Sequence, residues 1–267
     1  MYPIDIPEID DEFVRCWQAA GIHLENQAGG QINSWLRAHL MPPFLDHLSF
    51  RLGNQLFFIR VEDVNDQLKT PGILNGLLTL ADGCQGHACV MPMERVSGQY
   101  GGQSGGQWQP TEPGWGLLDA RTRQAINPIA QITDELIEMT DWELQDFAVQ
   151  VVRDHLAREG REIMSCNGNP GVQPSLWFVG DNGPEWVSVG VVRYPLNEAP
   201  LPASLFELQT TFNRSGHPGH FASVAVANAE DPFDPMAASN GNYLPLYRGH
   251  GMHVSFKGLE PIVSLRE

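Results

Sequence analysis

A chain of 267 residues with 42% hydrophobic and 18% charged side chains can bury a substantial core, as one large domain or two small ones, which excludes an extended disordered protein. The net charge is -16, with 32 acidic residues against 16 basic ones. Only Lys69 and Lys257 are lysines, so the chain lacks the Lys/Arg clusters on which non-specific nucleic-acid binding depends.

No apolar run approaches the ~18 residues of a membrane span. The acidic start, Met1-Tyr-Pro-Ile-Asp-Ile-Pro-Glu, lacks the basic-then-apolar order of a signal peptide. Cys16, Cys84, Cys89 and Cys166 have no disulfide-framework spacing. A cytoplasmic protein is expected.

In chain order, residues 10–20 and 31–40 read as helices. Asp10-Asp11 opens the first and Gly21 closes it. Ile32, Trp35, Leu36 and Leu40 give the second a helical apolar stripe. Residues 45–52 and 55–61 read as strands of a hairpin turned by Gly53-Asn54. A helix over 73–81 and a buried strand over 87–91 follow. Residues 97–116 hold a Gly/Gln/Ser tract and then Trp108-Gln-Pro-Thr-Glu-Pro-Gly-Trp115, a loop or linker whose two tryptophans are candidate binding residues as well as candidate core caps. Thr133 fits as the cap of a helix over 133–139.

The second half opens with a helix over 141–159. Leu144, Phe147, Ala148, Val151, Val152 and Leu156 fall on one face. A short strand over 163–166 leads to a hairpin over 176–192, turned at Gly180-Asp-Asn-Gly183. A helix over 203–209 and strands over 221–227 and 250–256 complete the chain. Each half runs helix, hairpin, helix, strand. Internal duplication is one reading of this order and chance recurrence the other; sparse identity leaves both open. The expected division is an N-terminal α/β half (1–96), a Gly/Trp/Pro-rich loop or linker (97–128) and a second α/β half (129–267).

Three constellations bear on chemistry. His217-Pro-Gly-His220 and His250-Gly-Met-His253 repeat an H-x2-H spacing, and imidazole is a common metal ligand. These four histidines form a candidate divalent-metal site, against ordinary loop packing. Cys84-Gln-Gly-His-Ala-Cys89 has zinc-compatible spacing but lacks a second cysteine pair to complete four ligands. The third is the stretch Pro174-Ser-Leu-Trp-Phe-Val-Gly-Asp-Asn-Gly-Pro-Glu-Trp-Val-Ser-Val-Gly-Val-Val-Arg193 behind its helix. It resembles the PD-(D/E)xK restriction-endonuclease-like superfamily, with Ser175 at the place of the acid after proline, and Ser188 and Gly190 at those of the second acid and the lysine. A hard cation such as Mg²⁺ needs oxygen ligands with charge, which these positions do not supply. Glu143 or Asp146 would be the helix acid.

The fold class expected is therefore α/β, with mixed sheets flanked by helices, two similar halves as one reading, and the second half restriction-endonuclease-like. What the resemblance implies is a non-catalytic pseudo-nuclease or a protein-interaction module, with a protein partner or a second copy as its target and no cofactor. The alternatives are a metal-dependent enzyme built on the four histidines, or a nuclease whose acidic site has migrated to Glu143, Asp146, Asp181 or Glu185. From the charge alone, duplex DNA should bind with a Kd weaker than ~1 µM at ~150 mM salt; a sub-micromolar value by fluorescence anisotropy would contradict this.

Overall fold

The structure is a computed structural model of the chain, and it describes residues 10–29, 34–35, 48–70, 73–96, 107–181, 183–213, 216–231, 233, 236, 241 and 243–262. Two compact units divide the chain, Met1–Glu135 and Leu136–Glu267. Each is a mixed sheet packed against helices.

In the first unit, α1 (Asp11–Ala28) precedes β1 (Ser34–Trp35), β2 (Leu48–Leu52) and β3 (Gln55–Asp63). Helix α2 (Leu74–Gly83) crosses over to β4 (His87–Val96), and β5 (Gln107–Pro110), β6 (Leu118–Asp119) and α3 (Pro128–Gln131) follow. Strand β3 pairs antiparallel with β2 and parallel with β4, the geometry that demands a crossover helix. The β2–β3 hairpin turns at Gly53-Asn54, with Leu52 opposite Gln55.

The first unit corrects several expectations. Helix α1 does not stop at Gly21 but runs to Ala28, because Ala20, Leu24 and Ala28 prolong its buried stripe. Its end is set by Gly29, whose φ of 58° is the left-handed conformation that glycine adopts most cheaply. Of the helix expected over 31–40, residues 34 and 35 form a strand paired with Arg51 and Phe50; the remainder lies outside the described residues, as does the Gly tract over 97–106. No helix spans 133–139. Asn127 instead caps the short α3, and the Thr133 hydroxyl accepts a hydrogen bond from Asn54 Nδ2 at 2.9 Å. The segment expected as a linker carries β5 and β6, both paired with β4, so it belongs to the first sheet.

The second unit opens with α4 (Asp141–Arg158), followed by β7 (Ile163–Cys166), β8 (Leu176–Gly180) and β9 (Gly183–Arg193). Helix α5 (Leu205–Asn213) crosses over to β10 (Gly219–Asn228), and β11 (Met252–Phe256) and β12 (Glu260–Pro261) complete the sheet. The strand orders are β1-β2-β3-β4-β5 and β11-β10-β9-β8-β7, with β6 on β4 and β12 on β10. The equivalence extends to register. Strand β5 pairs with the carboxyl end of β4 and β6 nearer its start; β11 and β12 divide β10 in the same way. The halves thus share element order, strand direction and the single parallel pair.

Each N-terminal helix fills one sheet face. Phe13, Trp17 and Leu24 of α1 pack with Phe50, Phe57, Ile59 and Met91. Leu144, Ala148, Val149, Val152 and Leu156 of α4 pack with Leu176, Val187, Val189, Ala222 and Val224. On the second unit's opposite face, Trp186 meets Phe212 of α5 at a ring separation of 5.6 Å. Gly219, on the neighbouring strand, leaves the room for that indole. A Cβ there would sit 2.1 Å from a Trp186 ring carbon. Gly219→Ala is expected to destabilise the protein by about 1–3 kcal/mol through overpacking, read as a lower denaturant midpoint. Gly83→Ala, whose Cβ meets nothing within 4 Å, should lose no more than about 0.5 kcal/mol.

Candidate functional site

The amino end of α4 is built by a capping box. Thr140 Oγ1 accepts from the Glu143 backbone N–H at 3.3 Å, and the Thr140 N–H donates to Glu143 Oε2 at 2.8 Å. The same carboxylate receives a two-pronged bond from Arg248, Nε to Oε1 and Nη2 to Oε2, each 2.8 Å. The arginine side chain is 0% exposed and the glutamate 3%. Around this pair two loop segments are laced together: the Arg248 N–H donates to the Ile137 carbonyl at 2.9 Å, and the Met139 N–H to the Leu246 carbonyl at 2.8 Å. The sequence marked Glu143 as a helix acid and gave Arg248 no role. Nothing local links them.

Ser175 immediately precedes β8, whose first residue Leu176 faces Val187; its N–H donates to the Val187 carbonyl at 2.9 Å, which places it beside Ser188. Both serines are buried and neutrally satisfied. Ser188 Oγ donates to Gln173 Oε1 at 2.9 Å, and Ser175 Oγ accepts from the Val189 N–H at 3.2 Å. Gln145 of α4 donates to the Val189 carbonyl at 2.9 Å. Asp146 is buried, accepts from Gln150 Nε2 at 2.8 Å and carries Gly168 pressed onto it, where a Cβ would come within 2.0 Å of Oδ1.

The helix acids are engaged away from the two serines, Glu143 by Arg248 and Asp146 by Gln150. Val187, Val189 and Val191 point to the α4 core, so the intervening Ser188 and Gly190 turn to the other face. There a Cβ on Gly190 would stand 2.9 Å from both Ala199 Cβ and the Phe221 ring. The lysine position of the frame is occupied by neighbours.

The other acids are engaged one by one. Asp181 pairs with Arg161, which holds its carboxyl below the usual range through that hydrogen bond and charge. Glu185 Oε2 lies 2.7 Å from His220 Nε2. Among the described residues, no three His, Cys, Asp or Glu side chains converge as a metal would require.

The four histidines are also separated. His220 belongs to the start of β10 and His217 lies two residues before that strand, with His217 Nδ1 3.2 Å from the Pro184 carbonyl. His253 pairs with Ala227 near the other end of that strand, ~23 Å from His220 at strand rise, and its Nε2 bonds the Ala229 carbonyl at 3.0 Å. His250 packs edge-on against Tyr247. One ion cannot be held by both pairs. Cys84 and Cys89 are buried and form no disulfide; burial, then Asp119, pushes the Cys89 thiol up. Trp108 and Trp115, candidate binding residues, lie in the first core. Trp108 Nε1 donates to Glu12 at 2.8 Å, and Trp115 stacks over Phe50 at 6.2 Å.

A family model described as a domain of unknown function (DUF8840) matches residues 142–262, a stretch lying within the second unit. No curated protein and no solved structure matches the chain.

The Glu143–Arg248 pair makes a testable demand. Arg248→Met leaves a buried carboxylate without its cation and should cost about 3–5 kcal/mol, whereas Glu143→Leu with Arg248→Met should recover much of that loss. Urea melts of the three proteins check it; a double variant no more stable than Arg248→Met would contradict it.

Proposed function

We propose that the chain is a non-catalytic module, a pseudo-nuclease in its second unit, that works by binding a protein partner. The observation that carries this reading is the state of the frame. Ser175 and Ser188 are buried and uncharged, Ser188 bonding Gln173 and Ser175 accepting from the Val189 N–H, while the helix acid Glu143 is neutralised by Arg248. Metal-assisted hydrolysis needs converging charge and an open coordination position, and these contacts supply no converging charge. The resemblance to the restriction-endonuclease-like superfamily is part of the reading. It is supported by the helix–strand–hairpin order and by the cross-strand meeting of Ser175 and Ser188. A reducing, cytoplasmic setting is part of it too, supported by four free cysteines of which Cys16, Cys84 and Cys89 are buried. No helix among the described residues is long and apolar enough to cross a membrane.

The experiment is incubation of plasmid DNA and of RNA with the purified chain and Mg²⁺ or Mn²⁺. The expected result is intact nucleic acid. Cleavage that co-elutes with the chain and is abolished by chelator would overturn the reading.

A further inference from the structure

The two halves end their parallel pairs at matching corners. The Val64 N–H donates to the Met93 carbonyl at 3.0 Å, and the Tyr194 N–H to the Val226 carbonyl at 2.9 Å. In the first unit that corner folds in on itself. Asp63, the last residue of β3, accepts from the N–H groups of Asn65, Gln67 and Leu68 at 2.9, 2.9 and 3.2 Å, winding the following loop around its carboxylate.

In the second unit the equivalent strand ends with Arg193, which turns the other way. Its guanidinium bonds Asp141 and, at 2.5 Å, the Met139 carbonyl. What remains beyond the strand ends is a cleft of about 270 Å³. It lies where open α/β sheets place their ligands, outside the carboxyl ends of parallel strands.

The lining defines what would fit. Tyr194 and Tyr243 stand at 85° to each other with ring centroids 6.4 Å apart. Tyr243, Leu196 and Leu244 are 50%, 60% and 45% exposed, a grouping of large apolar side chains at one cleft that marks an interaction surface. Glu138 also lines the cleft; its backbone bridges to Tyr247, and its side chain is exposed with no ion pair among the described residues. The one cation of the lining, Arg193, pairs its Nη groups with Asp141 and the Met139 carbonyl, while its buried Nε has no partner among the described residues. Tyr194 is buried against Phe233 and Tyr243, so the exposed Tyr243 ring, lining the same cleft as the Glu138 carboxylate, is the aromatic surface that favours a cation. The volume lies just below the ~300–1,000 Å³ of small-molecule pockets, which suits a side chain or two better than a cofactor. The net charge of -16 also favours encounter with a basic partner.

We infer that this cleft receives a short segment of a partner protein in which a lysine or arginine adjoins an aliphatic residue. The cation sits between Glu138 and the Tyr243 ring, and the aliphatic side chain lies on Leu196 and Leu244. This inference rests on the reading of the chain as a binding module.

The test uses the full-length ¹⁵N-labelled chain, titrated with N-acetylated, amidated Leu-Lys and with its neutral counterpart Leu-norleucine. The expected result is saturable shifts at Tyr194, Leu196, Tyr243 and Leu244, with Leu-Lys bound about three- to fivefold more tightly than Leu-norleucine. That preference should vanish in Glu138→Gln, a change at an exposed side chain. Equal binding of both peptides, shifts confined to other residues, or no shifts at all would overturn the cleft assignment alone. Chelator-sensitive plasmid cleavage by the same preparation would overturn the binding-module reading beneath it, whatever the shifts.

Discussion

The ion pair between Glu143 and Arg248 governs the second unit. Its partners are 105 residues apart in the chain, and both are withdrawn from water. Desolvating two charges is costly, and the geometry must be close to ideal to offset it. Here the offset comes from a two-pronged bond completed by the capping box of Thr140. The consequence is positional. With Arg248 fixed to the first turn of α4, residues 137–139 and 246–248 are held as a short ladder. That ladder sets Glu138 and the 243–246 segment as walls of the cleft beyond β9 and β10. The same bond withdraws from chemistry one of the carboxylates that a metal site on this helix would use.

The shared topology of the halves makes each a control for the other. Where the β3–β4 corner is stitched by Asp63 to its own loop, the β9–β10 corner exchanges the acid for an arginine that reaches towards α4. The two sheets differ further along the same parallel pairs. Phe57 lies beside His87 in the first and Val187 beside His220 in the second. His87 stacks on the Phe57 ring at 4.9 Å, whereas His220 bonds the Glu185 carboxylate.

What the sequence made legible was local. The α4 helix was readable because Leu144, Ala148, Val152 and Leu156 recur at helical spacing, and both hairpins because a turn pair separates two apolar runs. What stayed hidden depended on distant partners. Gly21 looked like a helix end, yet Trp17, Ala20 and Leu24 all face the core, and packing overrides the local cost of a glycine. Thr133 looked like a cap until Asn54, 79 residues away, took its hydroxyl. Ser188 and Gly190 were read as places of a site near α4, but strand alternation with Val187, Val189 and Val191 puts them on the face away from that helix. No reading of residue types shows which face of a sheet a helix covers. Arg248 left no local trace, since a lone arginine in a Gly-rich turn is as readily a surface residue.

Gly190 carries a consequence for anyone wishing to alter this protein. Ala199 and Phe221 close over the position where a side chain would begin. Interiors are packed too densely to absorb a new long side chain without compensating changes. Installing a lysine there is therefore not a one-residue edit. It calls for shrinking Phe221 and reshaping the segment at Ala199, and each of those steps alone opens a void. The path from this molecule to one with a charged strand at that place passes through intermediates less stable than either end, so the neutral arrangement acts as a ratchet.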